Sequence, residues 1–198
     1  VGADGSELDR IPSSILRAVQ DPETHSYTGQ IWNPPQPYHW QHDFDPASIK
    51  TPFIYETHVG MAGEDPRVHT FREFADHLLP RIAATGYNAI QLMAVAEHPY
   101  YGSFGYHVSS FFAPSSRFGT PEDLKYLIDT AHGLGIAVLM DLVHSHAVKN
   151  YGEGLNNFDG SGGQYFHSGD RGEHQGWDSK CFNYGRAEVQ RFLLARIG

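Results

Sequence analysis

The stretch Ile136 to His146, I-A-V-L-M-D-L-V-H-S-H, constrains this chain more than any other. Ile136 to Met140 is an unbroken apolar run, too short for a buried helix, and it follows Gly133 and Gly135. It reads as a strand buried on both faces, the kind found in parallel sheets. Asp141 ends the run, and His144 and His146 come close behind. A charge is costly inside a parallel sheet. At the C-terminal end of a parallel strand it sits where α/β folds keep their active sites. A lone Asp there reads as a loop cap; Asp141 followed by His146, after such a strand, reads as function.

The stretch is the third beat of a rhythm. Phe53 to Val59 is a first strand ended by Gly60, with Glu56 and His58 near its C-terminal end. Thr70 and Glu73 have capping-box spacing and open a helix along Phe74, Leu78 and Ile82. Pro80 should kink or split that helix, and Gly86 ends it. Asn88 to Val95 is a second strand. Thr120 caps the next helix, with Pro121 at its first position and an apolar stripe of Leu124, Leu127, Ile128, Ala131 and Leu134. A last amphipathic helix begins near Arg186, along Val189, Phe192 and Leu193. Strand, helix, strand, helix, strand with glycine joins is the pattern of consecutive βαβ units. The three strands are expected to be parallel and adjacent in chain order, with Ile90, Leu92, Val138 and Met140 on the inner face. The fold class is α/β, the opening of a (β/α)8 barrel, with a doubly wound sheet as the alternative.

Residues 1–52 differ. Seven prolines from Pro12 to Pro52 separate Trp32, Tyr38, Trp40 and Phe44, and apart from a brief turn at Ser14 to Val19 no helical period runs through them. Short edge strands or a connector fit such a segment. The chain starts without Met and stops just after a helical pattern begins, so a fragment of a longer protein is expected.

A net charge of −9 with no basic run argues against nucleic acid and against anionic membranes. No stretch is long and apolar enough to span a bilayer, and no signal-type N-terminus is present. Cys181 is the single cysteine, which excludes an internal disulfide and fits a reducing compartment. Aromatic residues reach 13%, which suits sugar binding but more often means a plain core.

Two long loops follow the second and third strands, and both are rich in Tyr, Phe, Trp, His and Gly. Loops of this length are uncommon unless functional or disordered, and this composition speaks against disorder. Ala96 to Leu124, A-E-H-P-Y-Y-G-S-F-G-Y-H-V-S-S-F-F-A-P-S-S-R-F-G-T-P-E-D-L, resembles the corresponding region of the α-amylase superfamily of glycoside hydrolases. D-L-V-H-S-H, Asp141 to His146, resembles that superfamily's D-x-V-x-N-H region. I-Y-E-T-H-V-G, G-Y-N-A-I-Q-L-M-A, Y-F-H-S-G-D-R-G and W-D-S-K-C-F-N-Y-G are similar to eukaryotic-type 1,4-α-glucan branching enzymes. R-I-P-S-S-I and Q-D-P-E-T-H-S-Y-T-G-Q-I-W-N-P-P resemble the end of their N-terminal carbohydrate-binding module and its connector.

The resemblance implies residues 1–52 as the end of that β-rich module plus linker, and residues 53–198 as the first part of the barrel, truncated before strand four. It implies cleavage of an α-1,4 glucan by retaining double displacement and transfer to a 6-hydroxyl, making an α-1,6 branch in glycogen or starch. The nucleophile and the acid/base are then expected beyond Gly198, with no catalytic residue of that kind inside the chain. Tyr106 is expected to stack on the sugar that becomes charged, Asp141 to help hold the site, and His146 to donate a hydrogen bond to a sugar hydroxyl. Glu188 and Arg191, i and i+3 on the last helix, form either an exposed ion pair or part of a glucan-binding groove. The cytoplasm, or a plastid in a plant, is the expected location.

Three rivals remain open at the level of sequence. His144-x-His146 admits a metal hydrolase, although strand alternation would turn both histidines away from Asp141. An α-amylase proper often holds Ca²⁺ through the Asn of D-x-V-x-N-H, where this chain has Ser145, a poorer ligand. No metal or other cofactor is therefore expected. A glucan-binding protein without catalysis is the third.

Overall fold

The structure, a computed structural model, describes Gly5 and residues 7–197; residues 1–4, 6 and 198 lie outside the described residues. In chain order the strands and α-helices are β1 Ala18–Gln20, β2 Tyr27–Gly29, β3 Ile54–Thr57, α1 Phe71–Glu73, α2 Leu79–Ala84, β4 Ala89–Leu92, β5 Ala96–Glu97, β6 Ser110–Pro114, α3 Pro121–Gly133, β7 Ala137–Met140, β8 His146–Val148, β9 Glu173–His174, β10 Ser179–Cys181 and α4 Ala187–Leu194. They fall into two compact units that interleave along the chain. One comprises Trp32–Val95 and Pro114–Leu142, the other the described parts of Val1–Ile31, Ala96–Ala113 and Val143–Gly198.

The first unit holds a parallel sheet in the order β3-β4-β7, with Ile54 opposite Ala89 and Ala89 opposite Ala137. Parallel neighbours in chain order, joined by helices, are what the glycine-punctuated rhythm predicts. The burial prediction fails for the third strand. Leu139 is 42% and Met140 37% exposed, because β7 has a partner on one side only among the described residues. The phase of the strands also differs from the reading above. Ile90 and Leu92 are fully buried, whereas Ile54, Glu56 and Leu139, which share the opposite face by register, are exposed. Ile90 and Leu92 therefore lie on the covered face, with Val138 half-buried and Met140 exposed further along the same side. Glu56 and Gln91 hydrogen-bond across that open face at 3.1 Å.

The helix before β4 is built as its residues dictate. Thr70 and Glu73 form the reciprocal capping box, and Arg67 grips both Glu73 carboxylate oxygens at 2.6 and 3.1 Å. That guanidinium, with the Thr70 amide, holds the Glu73 pKa down at about 2. Pro80 has no N–H for the Asp76 carbonyl, so the helix widens before it. Phe74–Leu78 is a π turn in which the Leu79 amide reaches back to the Phe74 carbonyl. Gly86 then ends the helix at φ +90°, a conformation glycine adopts without strain. Phe71, Phe74, Leu79, Ile82, Ile90, Leu92, Leu127 and Ile136 form this unit's core, each worth roughly 1.5–3 kcal/mol when fully buried. Leu134, at the end of the predicted stripe, is exposed.

The proline-rich connector is fastened to α3 by one carboxylate. Asp129, 2% exposed, accepts from Tyr38 Oη at 2.6 Å, from the backbone amides of Gln41 and His42, and pairs with His42 Nδ1 at 3.1 Å. Burial works to raise the Asp129 pKa, but these donors outweigh it and hold it below the usual carboxylate value. Phe44 stacks on His132 one turn along the same helix, at 4.6 Å and 6°.

In the second unit, β1 and β2 form a hairpin in the region expected to hold short extended pieces. The turn expected at Ser14 to Val19 starts earlier, with the Ile15 amide on the Pro12 carbonyl, and runs straight into β1. The sheet β8-β10-β9 is antiparallel. Its strands lie within the long segment after the third parallel strand, where the sequence reading has only a loop.

Candidate functional site

Tyr106 is positioned by a tight loop after β5. Tyr101–Ser103 is one 3₁₀ turn, and Phe104 and Gly105 follow at φ +54° and +91°. A left-handed Phe is strained and persists only where its surroundings fix it. Here Ser103 does so: its carbonyl accepts from the Tyr106 amide at 3.0 Å, and its hydroxyl donates to the Tyr100 carbonyl at 2.7 Å.

His146 opens β8, whose register with β10 pairs it with Cys181. The next turn, Gln175–Trp177, is capped by His174 Nδ1, which accepts from the Trp177 amide. Trp177 then stacks flat on His174 at 4.2 Å and 11°, with its ring 4.9 Å from that of His146. Tyr106, His107, Ser103, His146 and Trp177 together line a cavity of about 310 Å³. Trp177 and His107 were not singled out from sequence. The available signal was a tryptophan alone among polar neighbours in H-Q-G-W-D-S-K.

The buried His146 imidazole is held below its ordinary pKa, first by desolvation and then by His107 and His174, against a hydrogen bond with the Tyr106 backbone. Its Nδ1 lies 2.8 Å from Ser145 Oγ. Near neutral pH the ring is therefore an uncharged hydrogen-bonding group. Burial also depresses His144, whose Nε2 has no hydrogen-bond partner among the described residues. Ser145 spends its hydroxyl on His146, and no group of three or more His, Cys, Asp or Glu side chains among the described residues could hold a metal ion.

The remaining predicted residues do not line this cavity. Asp141 belongs to the unit of the parallel sheet, half-buried at the C-terminal end of β7, its amide on the Leu92 carbonyl at 3.1 Å. The structure brings Tyr106 and His146 into one cavity; Asp141 is not among the residues that line it. Glu188 and Arg191 are both exposed on α4, and among the described residues no salt bridge joins them, so the ion-pair reading is corrected. Of the two acids and bases at the first strand, Glu56 meets Gln91 and His58 packs edge-on to Phe118 at 5.5 Å.

Comparison with known proteins gives the family. The family model described as Alpha amylase, catalytic domain, matches residues 76–180, more than half of the chain. The chain belongs to the alpha-amylase family. Within reach of that family, the 1,4-alpha-glucan-branching enzyme of Yarrowia lipolytica is 54% identical over 98% of this chain and 28% of its own length. A relative from Oryza sativa subsp. japonica, named 1,4-alpha-glucan-branching enzyme, chloroplastic/amyloplastic, is also 54% identical over 98% of this chain, and 24% of its own length is covered. The chain thus spans less than a third of these curated relatives. Among solved structures, a putative alpha amylase from Salmonella typhimurium superposes with a TM-score of 0.61 at 26% identity, over 79% of this chain and 26% of that one. An α/β fold of the alpha-amylase type is common to all of these observations.

Proposed function

We propose that this chain is part of a 1,4-α-glucan branching enzyme, which cleaves an α-1,4 glucan with retention and passes the chain to a 6-hydroxyl. The observation that carries this reading is 54% identity to enzymes of that name across nearly the whole chain. In this reading residues 53–198 are the first three βα units of a (β/α)8 barrel, supported by the parallel order of β3, β4 and β7. Residues 1–52 are the end of an N-terminal carbohydrate-binding module and its linker.

The chain's own residues bind and orient; the bond-making carboxylates lie beyond residue 198. Tyr106 and Trp177 offer two rings to the 310 Å³ cavity, at the lower end of the range for small-ligand pockets. Tyr106 stacks on the glucosyl ring as positive charge develops there, which favours the transition state over the ground state. Neutral His146 is a hydrogen-bonding partner for a sugar hydroxyl, and one of its present bonds, to Ser145 or to the Tyr106 backbone, gives way to it. Asp141, half-buried at the end of β7, is a further candidate for glucan contact. Glu188 and Arg191, exposed and unpaired with each other, serve glucan contact on α4. The partner is glycogen in a cytoplasm or starch in a plastid. No helix among the described residues is long and apolar enough to cross a membrane.

The test is the full-length protein with amylose. Loss of iodine colour with new α-1,6 linkages, released as chains by a debranching enzyme, supports the reading. Colour loss matched by new reducing ends, without α-1,6 linkages, means a hydrolase. Binding without either change means a non-catalytic glucan-binding protein.

A further inference from the structure

We infer that the face of the β8-β10-β9 sheet turned away from the Tyr106 cavity carries a second binding site, for a neutral α-glucan chain. The argument begins with register. His146 pairs with Cys181, Val148 with Ser179, and Ser179 with His174, so these residues share one face. Ala147 pairs with Lys180 and Lys180 with Glu173, so these share the other, and Lys149 continues it. The first face carries His146 and His174 beside Trp177. The second opens on a separate cavity of about 510 Å³, bordered by Lys149, Asn150, Tyr151, Asn156, Glu173 and Lys180. Lys149 is three residues from His146, about 10 Å along an extended strand. By register the two cavities border opposite faces of one sheet.

The chemistry of this second cavity selects a neutral, hydroxyl-rich ligand. Both cations are already matched, Lys180 by Glu173 and Lys149 by Asp178, each at 2.5 Å. An anion would have to compete with those carboxylates. The Asn156 amide donates to the Lys149 carbonyl at 2.6 Å, which leaves its oxygen available as an acceptor. Tyr151 is 59% exposed and is the one aromatic ring bordering the cavity. A ring for the apolar face of a pyranose, with amides and fixed ions around it for hydroxyls, is how a protein grips a sugar without charge.

The wall is also held in shape before any ligand arrives. Arg10 donates to the carbonyls of Tyr151, Asn157 and Phe158 at 3.1, 2.9 and 3.4 Å. A Cβ at Gly154 would come within 2.5 Å of the Asn150 carbonyl oxygen, so this close turn requires glycine. A wall fixed in advance spares the ordering cost of binding. The choice of α-glucan as ligand rests on the branching-enzyme reading.

The experiment is calorimetric titration of maltoheptaose into the full-length protein. Tyr151→Ala should weaken binding about three- to tenfold, the worth of one aromatic contact. Tyr151→Trp, which keeps a ring, should stay within about twofold of wild type. Unchanged affinity in Tyr151→Ala, or displacement of maltoheptaose by inorganic phosphate at this site, overturns the proposal. If wild type branches amylose while Tyr151→Ala binds normally, the second site falls and the branching reading stands. If wild type fails to branch but binds maltoheptaose through Tyr151, the reverse holds.

Discussion

Tyr106 owes its place to Ser103, which bonds on both sides of the strained Phe104–Gly105 corner. A ring fixed that firmly is suited to a transition state more than to loose binding. Tyr106→Ala in the full-length enzyme is expected to lower kcat about tenfold, the scale of a ring facing positive charge, with KM little changed; Tyr106→Phe should retain most activity. Steady-state kinetics on amylose decides it, since a raised KM at unchanged kcat would assign the ring to uniform binding. Two buried histidines and one half-buried one make a second prediction at this scale. His58, His144 and His146 are all depressed, desolvation first in each case. Above the ordinary histidine pKa, folded and unfolded chains are both neutral at these positions. As pH falls, the unfolded chain takes up protons that the folded one refuses, so stability declines from about pH 6.5 downward through the folded pKa values. The urea midpoint should be lower at pH 5.5 than at pH 7.5, and a flat or rising profile would refute this assignment.

Helix ends and strand order were legible because their signals are local. Thr70 with Glu73, Pro121 after Thr120, and glycines 86 and 135 act through their immediate neighbours, and all behave as read. Strand phase was not legible, because A-V-L-M is apolar at every position and alternation has nothing to contrast. The sheet β8-β10-β9 escaped for another reason: its strands have three residues or fewer, too short to show a period. His146 stood out by its place after the third strand and Tyr106 only through resemblance, and Trp177 needed the turn capped by His174 to bring it to His146. The anchoring of the connector was equally invisible, since Asp129 sits mid-helix and meets Tyr38 only in the fold. Removing that carboxylate should free the segment. Asp129→Ala strands several donors at once and should cost about 3 kcal/mol of local stability, which lowers hydrogen-exchange protection of the Gln41 and His42 amides on the order of a hundredfold. Asp129→Asn, which keeps an acceptor oxygen, should cost about 1 kcal/mol. Equal protection in Asp129→Ala and wild type would mean that the aromatic stack of Phe44 on His132 holds the connector by itself.

Residues 1–198 expressed alone should neither branch glucan nor unfold as a cooperative monomer. Retaining glycosyl transfer needs two carboxyl groups about 5–5.5 Å apart across the scissile bond. No carboxylate is among the residues that line the Tyr106 cavity, so the pair cannot form there. The stability argument comes from the sheet. Among the described residues both outer strands of the order β3-β4-β7 are edges, and Phe53, Ile54, Leu139 and Met140 are exposed along them. Each such side chain forgoes part of the roughly 1.5–3 kcal/mol that full burial would supply, against a typical domain stability of about 5–15 kcal/mol. Unpaired parallel edges with apolar flanks also recruit other chains. Urea unfolding followed together by fluorescence and far-ultraviolet dichroism, with light scattering for association, tests this, and iodine colour with amylose tests activity. Coincident cooperative transitions of a monomer would refute the edge argument. Measurable branching by the isolated chain would refute the assignment of the bond-making carboxylates to the sequence beyond residue 198, and with it the division of labour proposed for Tyr106, Asp141 and His146.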